Sequence, residues 1–174
     1  MNKFKFLVIA ATMLVAISAF TTWRTDPQVT ETTLLRDYAP VTQKDPPCLQ
    51  MYYYIEMYAD SFDIPRRYAY GIARVETGYQ GPFHWRYNPA QTSCVGAVGP
   101  MQVMVNTAKY INKEHVTRDQ LRTDIRYNVR TSMKLLRRLF NLRHNWKLVF
   151  GEYNTGRPCV NGYAERVYAH QLNW

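Results

Sequence analysis

Acidic side chains are the first candidates for chemistry in this chain, because other reactive arrangements are missing from the sequence. The four histidines form no HExxH or other closely spaced pair, and the three cysteines form no CxxC. No serine lies in a GxSxG turn, and no glycine-rich phosphate loop is present. We therefore expect no metal and no cofactor, which leaves general acid–base chemistry by a carboxyl group. Between residues 70 and 160 the acidic residues are Glu76, Glu114, Asp119, Asp124 and Glu152.

Glu76 has the sequence environment best suited to a general acid. It lies in the last turn of a predicted helix, just before Gly78, where the partial negative charge of the helix C-terminus disfavours an ionised carboxylate. If the following aromatic rings pack around this carboxyl group, they desolvate it and raise its pKa toward neutral pH. By spacing alone, a solvated glutamate at a frayed helix end is the more common case. The aromatic residues in question are Tyr79, Phe83, Trp85 and Tyr87.

The elements that position these residues are predicted to be helices from Cys48 onward. Apolar residues at helical spacing predict a first helix from Leu49 to Ser61 and a second from about Asp63 to a stop at Gly78. An irregular loop with room for a small hairpin follows, up to about Met104. Further helices are expected from Asn106 or Thr107 to near His115, over Asp124 to Asn141, from Asn145 to Tyr153, and over Gly162 to Gln171. The fold class is therefore a mainly α single domain.

The N-terminal part of the chain has the composition of an export signal. Lys3 and Lys5 precede a charge-free, mostly apolar run from Phe6 to Phe20, and this run is short for a membrane span. We interpret residues 1–20 as a signal peptide or N-terminal anchor, residues 21–47 as a Thr/Pro-rich tether and residues 48–174 as the folded domain. The sequence thus predicts an exported protein, either periplasmic or associated with the cell envelope.

The chain is strongly basic, with 22 Lys and Arg against 13 Asp and Glu and a formal net charge of +9. Such a charge favours anionic partners. Four basic residues recur every four positions and predict a charged side of the long helix, namely Arg122, Arg126, Arg130 and Lys134. The simplest interpretation is a solvated face, and the alternative is contact with an anionic envelope polymer or membrane surface. We expect a monomer with no nucleic-acid partner.

Three separated segments of the sequence resemble the soluble lytic transglycosylase family, whose domain is lysozyme-like. They are Val75-Glu76-Thr77, the stretch from Gly96 to Met104 with sequence GAVGPMQVM, and Glu152-Tyr153-Asn154-Thr155-Gly156. Asn88-Pro89, Thr107-Ala108 and Asn128-Val129 stand between them in the order that the family has. Each motif alone is a weak indication of the family. The matching segments occur in the same order as in the family, and they are spread over nearly the whole predicted domain, from Cys48 to Tyr168.

The resemblance implies an activity and a set of site residues. The family cleaves the β-1,4 bond between N-acetylmuramic acid and N-acetylglucosamine in peptidoglycan and leaves a 1,6-anhydro end, with one essential carboxyl group that here is Glu76. Tyr153 matches a tyrosine that faces this carboxyl group and orients it by hydrogen bonding. Asn154 matches a residue that holds the substrate's acetamido group or the loop. The remaining substrate-binding residues implied by position are Thr77, Met101 and Gln102.

The sequence also departs from the family pattern, and the departures keep alternatives open. Thr77 replaces a serine, Pro100 replaces a leucine and Val105 replaces a proline, while Glu152 replaces an alanine and adds a carboxylate beside the proposed cleft. A hydrolase of goose-type lysozyme character, aided by Glu152, is therefore an alternative. So is a non-catalytic cell-wall-binding protein of the same fold. A basic nucleic-acid-binding protein is a third alternative, against which the export signal argues.

The three cysteines allow one disulfide bond and one free thiol. Cys94 precedes one of the motifs and Cys159 follows another, and both motifs should border the same cleft. We therefore expect a Cys94–Cys159 bridge, with Cys48–Cys159 as the alternative pairing. Export makes such a bridge permissible.

Overall fold

Helices make up most of residues 41–172, the part of the chain that a computed structural model describes. The predicted export segment and residues 21–40 of the predicted tether lie outside these residues. In the order of the chain, the helices are α1 (Pro47–Ser61), α2 (Arg66–Thr77), α3 (Val105–Asn112), α4 (Arg118–Thr123), α5 (Ile125–Arg143), α6 (Trp146–Thr155) and α7 (Gly162–Tyr168). The mainly α fold class is therefore confirmed.

Helix α5 is the central element of the hydrophobic core. It packs against α1 and α6, with α3 and α4 alongside. Its buried face carries Val129, Met133 and Leu136, all fully buried, at the spacing of an amphipathic helix. The side chain of Asp124 caps this helix by accepting a hydrogen bond from the backbone N–H of Tyr127 at 2.9 Å. The predicted start of the long helix is thus close to the observed one.

Helix α2 positions Glu76, and its C-terminal end lies where the sequence predicts it. Gly78 adopts a left-handed conformation with φ of 72°, which an L side chain rarely adopts, and its N–H donates to the carbonyl of Arg74 at 3.0 Å. The helix therefore ends at Thr77, and Glu76 stays in its last turn. Helix α2 packs against α1 on one side and α7 on another.

The short helices differ from expectation. Helix α3 begins at Val105 after Met104 and has no side-chain cap, so the predicted caps Asn106 and Thr107 are wrong. It ends at Asn112, because Lys113 adopts a left-handed conformation with φ of 56°. The six residues of α4 span too few turns for apolar periodicity to show, and the sequence analysis missed this helix. Its cap is Thr117, whose hydroxyl accepts from the N–H of Gln120 at 3.1 Å.

The long connection between α2 and α3 holds only isolated β-bridges within the described residues. Val98 pairs with both Thr92 and Val103 in antiparallel fashion, and no extended strand forms around it. The predicted hairpin is thus reduced to these bridges. Within residues 41–172 there is also no helix with the length and apolar character needed to cross a membrane.

Candidate active site

The carboxyl group of Glu76 is half-buried and faces helix α7. The hydroxyl of Tyr163, at the start of α7, donates a hydrogen bond to Oε1 of Glu76 at 2.6 Å. This distance is typical of an O–H donor to an ionised carboxylate. Tyr163 is itself only 6% exposed, so its hydroxyl is held in the interior by packing. The side chain of Glu76 is therefore fixed in position and does not extend freely into water.

The environment raises the pKa of Glu76. Burial is the main cause, because it penalises the charged form, and the hydrogen bond from Tyr163 partly opposes it by stabilising the carboxylate. The direction agrees with the sequence-based expectation. Of the four aromatic rings expected to desolvate this carboxyl group, Phe83 and Trp85 remain largely exposed to solvent, while Tyr79 and Tyr87 are buried.

Tyr163 was missed by the sequence analysis. It lies 87 residues from Glu76 along the chain, and no quoted motif includes it. A usable signal was present, because Asn161 is a good helix N-cap and the apolar positions Tyr163, Ala164 and Val167 share one helical face. That pattern predicts an inward-facing tyrosine hydroxyl, although it does not predict which partner the hydroxyl finds.

The structure corrects the expected hydrogen bond between Tyr153 and Glu76. The hydroxyl of Tyr153 instead donates to the backbone carbonyl of Met101 at 2.7 Å and is 2.9 Å from the hydroxyl of Ser132. Burial is the main cause of the raised pKa of Tyr153, and the negative charge of Glu76 is the second cause. The two side chains are therefore close enough for the charge of one to affect the other. Tyr153 thus joins helix α6 to the loop that precedes α3, beside the carboxyl group.

Thr77 joins the end of α2 to the same loop. Its hydroxyl is 2.8 Å from the hydroxyl of Tyr87 and 2.9 Å from the carbonyl of Pro100. Thr77 is 8% exposed and has a single hydroxyl proton, so the hydrogen-bonding capacity of its hydroxyl is used by these two partners. The predicted contact of Thr77 with substrate would require one of these hydrogen bonds to break. In the structure, the hydroxyl of Thr77 holds the loop through its bond to Pro100.

Asn128 on α5 is the buried anchor of the loop. Its Oδ1 accepts from the N–H of Met101 at 3.0 Å, while its Nδ2 donates to the carbonyls of Val98 and Leu121 at 3.0 and 2.8 Å. Gly99 passes directly over this amide with φ of 79°. A Cβ atom there would lie 2.3 Å from Nδ2 of Asn128, so only glycine fits.

The two other predicted loop residues have different surroundings. Met101 is fully buried in the core, and its N–H and carbonyl are bonded to Asn128 and Tyr153, so it supports the loop from beneath. Gln102 is partly exposed with φ of 50°, and its Nε2 donates to the carbonyls of Gly99 and Gln91 at 2.8 and 3.2 Å. Gln102 therefore closes the loop on itself, at the edge of the site.

Asn154 lies beside this cluster at the end of α6 and is exposed. Its Oδ1 accepts from Nδ2 of Asn161 at 3.3 Å, and Asn161 in turn caps α7 by accepting from the N–H of Ala164 at 2.9 Å. Asn154 thus stands next to the turn that leads to Tyr163. Asn154 is therefore linked to Glu76 through Asn161 and Tyr163. Gln102 is linked to the end of α2 through Gln91, and Thr77 and Met101 are buried.

The other carboxylates near these elements are engaged in ion pairs. Glu152 forms a two-pronged pair with Arg143, with distances of 2.6 and 2.9 Å, and its side chain is 13% exposed. The guanidinium group lowers the pKa of Glu152, so this carboxylate is ionised and directed at α5. Glu56, which is 8% exposed, is bonded by Arg66 and by the hydroxyl of Tyr70. By comparison, the carboxyl group of Glu76 accepts its hydrogen bond from a neutral tyrosine hydroxyl.

The cysteines are free thiols in the structure, so the predicted Cys94–Cys159 bridge and the alternative Cys48–Cys159 bridge are not formed. Cys48 is buried at the start of α1 and Cys94 is exposed in the long loop. Cys159 packs against α6, where a Cβ atom added to Gly151 would lie 3.2 Å from its Sγ. The sulfur of Cys159 also lies 3.6 Å from the hydroxyl of Thr155. In residues 41–172 no three His, Cys, Asp or Glu side chains are grouped as metal ligands.

The predicted basic stripe is divided by the break between α4 and α5. Arg122 lies on α4 and pairs with Asp119 at 2.6 Å. Arg126 on α5 points toward α1, where its Nε donates to the hydroxyl of Tyr58 at 2.9 Å. Arg130 and Lys134 follow Arg126 at one-turn spacing on α5. Burial is the main cause of a lowered pKa of Lys134, and the charges of Arg130 and Lys113 lower it further. The four residues are therefore divided between two helices, and the first two of them have partners of their own.

Replacement of Tyr163 by phenylalanine is expected to raise the pKa of Glu76 further. The substitution keeps the ring and its burial but removes the donor that stabilises the carboxylate, so the protonated form persists to higher pH. The measurement is an NMR titration of the glutamate carboxyl carbons. Tyr110→Phe, at an exposed ring on α3, serves as the control and should leave the titration unchanged. A pKa for Glu76 that falls or stays constant in Tyr163→Phe would contradict this geometry.

Comparisons with known proteins place the chain in a family. The model of the transglycosylase SLT domain matches residues 53–173. A search of curated protein sequences found no match. Two similar solved structures are the 70-kDa soluble lytic transglycosylase in complex with bulgecin A and the 70-kDa soluble lytic transglycosylase SLT70 from Escherichia coli. For each, the identity is 26%, the TM-score is 0.52, and the match covers 66% of this chain and 18% of the other.

These similarities confirm the predicted lysozyme-like fold for the described residues. The chain spans only 18% of the length of those two solved enzymes, so the likeness concerns one domain of each. The family model covers well over half of this chain, from the middle of α1 to beyond α7. The chain with Glu76 at the end of α2 therefore belongs to the transglycosylase SLT family.

Proposed function

We propose that this protein is a peptidoglycan lytic transglycosylase that cleaves the β-1,4 bond between N-acetylmuramic acid and N-acetylglucosamine. The observation that carries the proposal is the setting of Glu76. This carboxyl group is half-buried, has a raised pKa and accepts a 2.6 Å hydrogen bond from a buried tyrosine. A single carboxyl group that is stable in both protonation states can act first as an acid and then as a base.

In the first step, protonated Glu76 donates its proton to the glycosidic oxygen. The bond between this oxygen and C1 of the muramic acid breaks, and its electron pair leaves with the oxygen. The acetamido group on C2 of the same sugar stabilises the positive charge that develops at C1, so no protein nucleophile is needed. Burial raises the pKa of Glu76 and so favours the protonated form that this step needs, and the hydroxyl of Tyr163 stabilises the carboxylate that the step creates.

In the second step, the carboxylate of Glu76 takes the proton from the C6 hydroxyl of the muramic acid. The oxygen of that hydroxyl forms a bond to C1 and closes the 1,6-anhydro ring, and Glu76 returns to its protonated form. No water is consumed. The attack is intramolecular and gains from proximity. This scheme agrees with the engagement of Glu152 by Arg143, because it asks nothing of a second carboxylate.

The surrounding residues are proposed to hold the glycan strand. The exposed amide of Asn154 is suited to the acetamido group, and Gln102 lies at the edge of the site. Tyr153 acts as a positioning residue, since its hydroxyl fixes the carbonyl of Met101. Thr77 acts through the loop, because its hydroxyl is occupied by Pro100 and Tyr87.

The experiment that tests this function is digestion of purified sacculi, followed by mass analysis of the soluble products. We expect anhydro-muropeptides, each one water lighter than the corresponding reducing sugar. Products with reducing ends would instead support the goose-type hydrolase. No soluble products, together with retention of the protein on the sacculi, would support a non-catalytic wall-binding protein.

Export and attraction to anionic partners are also parts of the proposal. The apolar segment at residues 6–20 supports export. Detection of the uncleaved chain in the cytosolic fraction would contradict export.

Of the basic residues expected to contact an anionic polymer, Arg130 and Lys134 lie together, near Lys113. An Arg130→Gln, Lys134→Gln variant should bind anionic cell-wall polymer more weakly at low salt. Equal binding by the variant and the parent would exclude this surface.

A further inference from the structure

Phe83 and Trp85 form an exposed aromatic pair on the long loop after α2. Phe83 is 73% exposed and Trp85 is 62% exposed. Their ring centroids are 6.3 Å apart with an interplanar angle of 63°, which is an edge-to-face arrangement. Two large rings that contact each other and remain in water leave a sizeable apolar surface uncovered. In a soluble domain, such a surface is typical of a binding site.

The turn that carries this pair is well anchored. The N–H of His84 donates to the carbonyl of Gly81 at 3.2 Å, and the N–H of Tyr87 donates to the carbonyl of His84 at 2.8 Å. The ring of His84 packs at 5.6 Å from the ring of Tyr87, which is 5% exposed. Gly81 and Pro82 are buried as well. The exposure of the pair is thus a property of an ordered turn with buried residues on both sides.

The same turn is connected to the end of α2 that carries Glu76. The hydroxyl of Tyr87 is 2.8 Å from the hydroxyl of Thr77, the residue that follows Glu76. Nε2 of Gln91 donates to the carbonyl of Thr77 at 3.0 Å. The turn that carries the aromatic pair is therefore joined by hydrogen bonds to the end of α2 that carries the candidate catalytic carboxyl group.

We propose that Phe83 and Trp85 form a platform that binds an N-acetylhexosamine ring of the glycan strand, away from the bond that is cut. This inference rests on the proposed function, because the strand must reach the same end of α2. A hexopyranose ring has an apolar face of C–H groups and polar hydroxyl groups around its edge. An exposed aromatic ring can cover that face while the hydroxyl groups stay in water.

The test measures the affinity for an N-acetylglucosamine tetramer, with all platform variants made in a Glu76→Gln background so that no turnover occurs. Titration calorimetry should show that Trp85→Ala and Phe83→Ala each weaken binding, and that the double variant weakens it by about tenfold or more. Trp85→Phe should retain most of the affinity. Tyr110→Ala removes an equally exposed ring on α3 and should leave the affinity unchanged. Because all these rings are exposed, every variant should keep the melting temperature of its parent.

An unchanged affinity in the Phe83→Ala, Trp85→Ala double variant would overturn the inference. So would a double variant that binds the tetramer normally but loses binding to vesicles of anionic phospholipid, because the pair would then be a membrane contact. With Glu76 intact, the double variant should raise KM for glycan strands with little change in kcat. The proposed function is judged separately, by whether the protein with intact Phe83 and Trp85 cleaves sacculi.

Discussion

Replacement of Glu76 by glutamine is expected to abolish release of soluble fragments from sacculi, with a loss of at least about 100-fold in rate. The amide keeps the size of the carboxyl group and can still accept a hydrogen bond from Tyr163, so the fold should be preserved. It cannot give a proton to the glycosidic oxygen or take one from the C6 hydroxyl. Both proposed steps fail for the same reason, and this is why the expected effect is large.

The matched control for this variant is Glu152→Gln. Glu152 lies on α6 beside Tyr153, but its carboxylate is directed at Arg143. Its replacement should leave the rate of fragment release nearly unchanged at a temperature where the variant is folded. If Glu152→Gln lost activity while Glu76→Gln retained it, the assignment of Glu76 would be wrong and a role for Glu152 in catalysis would follow. The measurement is the rate at which soluble muropeptides appear, at equal concentrations of folded protein.

Replacement of Asn128 by leucine is expected to destabilise the fold by at least about 3 kcal/mol. Leucine has a similar volume but makes no hydrogen bond. The change leaves the N–H of Met101 and the carbonyl of Leu121 without their partner in the interior, while the carbonyl of Val98 keeps only its bond from the N–H of Val103. Each buried, unpaired backbone group costs roughly 1–3 kcal/mol. This loss is a large fraction of the stability of a domain of this size.

Denaturant unfolding followed by circular dichroism measures this change. Asn141→Leu provides the control, because Asn141 is exposed on the same helix and its replacement should shift stability by no more than about 0.5 kcal/mol. The Asn128→Leu variant should also lose activity before it unfolds, since the loop carrying Gln102 is released first. Equal stability of the two leucine variants would show that Asn128 does not hold the loop.

The parts of the site that depend on neighbouring residues in the chain could be predicted from the sequence. Glu76 and Gly78 are two residues apart, and the position of a carboxyl group before a helix-ending glycine depends on local backbone preferences. Gly96 and Gly99, which fall in the predicted irregular loop, likewise adopt positive φ angles of 90° and 79°. The order of motifs also led to the correct family.

The parts that depend on contacts between distant residues could not be predicted. Tyr163 reaches Glu76 across 87 residues, and the family motifs directed attention to Tyr153 instead. Arg143 captures Glu152 only because α5 and α6 pack together. The aromatic residues after Glu76 illustrate the same limit. Local sequence showed that they cluster, but only packing decides that Tyr79 and Tyr87 are buried while the others face water.

The measurement that tests the central claim most directly is digestion of sacculi in water enriched in the heavy isotope of oxygen. In the proposed mechanism the C6 oxygen of the sugar itself attacks C1, so the muropeptides released by the protein should carry no isotope at C1. Treatment of the same sacculi with a hydrolytic muramidase provides labelled products for comparison. If the products of this protein incorporated one heavy oxygen at C1, water would be the nucleophile and the account of Glu76 as the base for ring closure would be wrong.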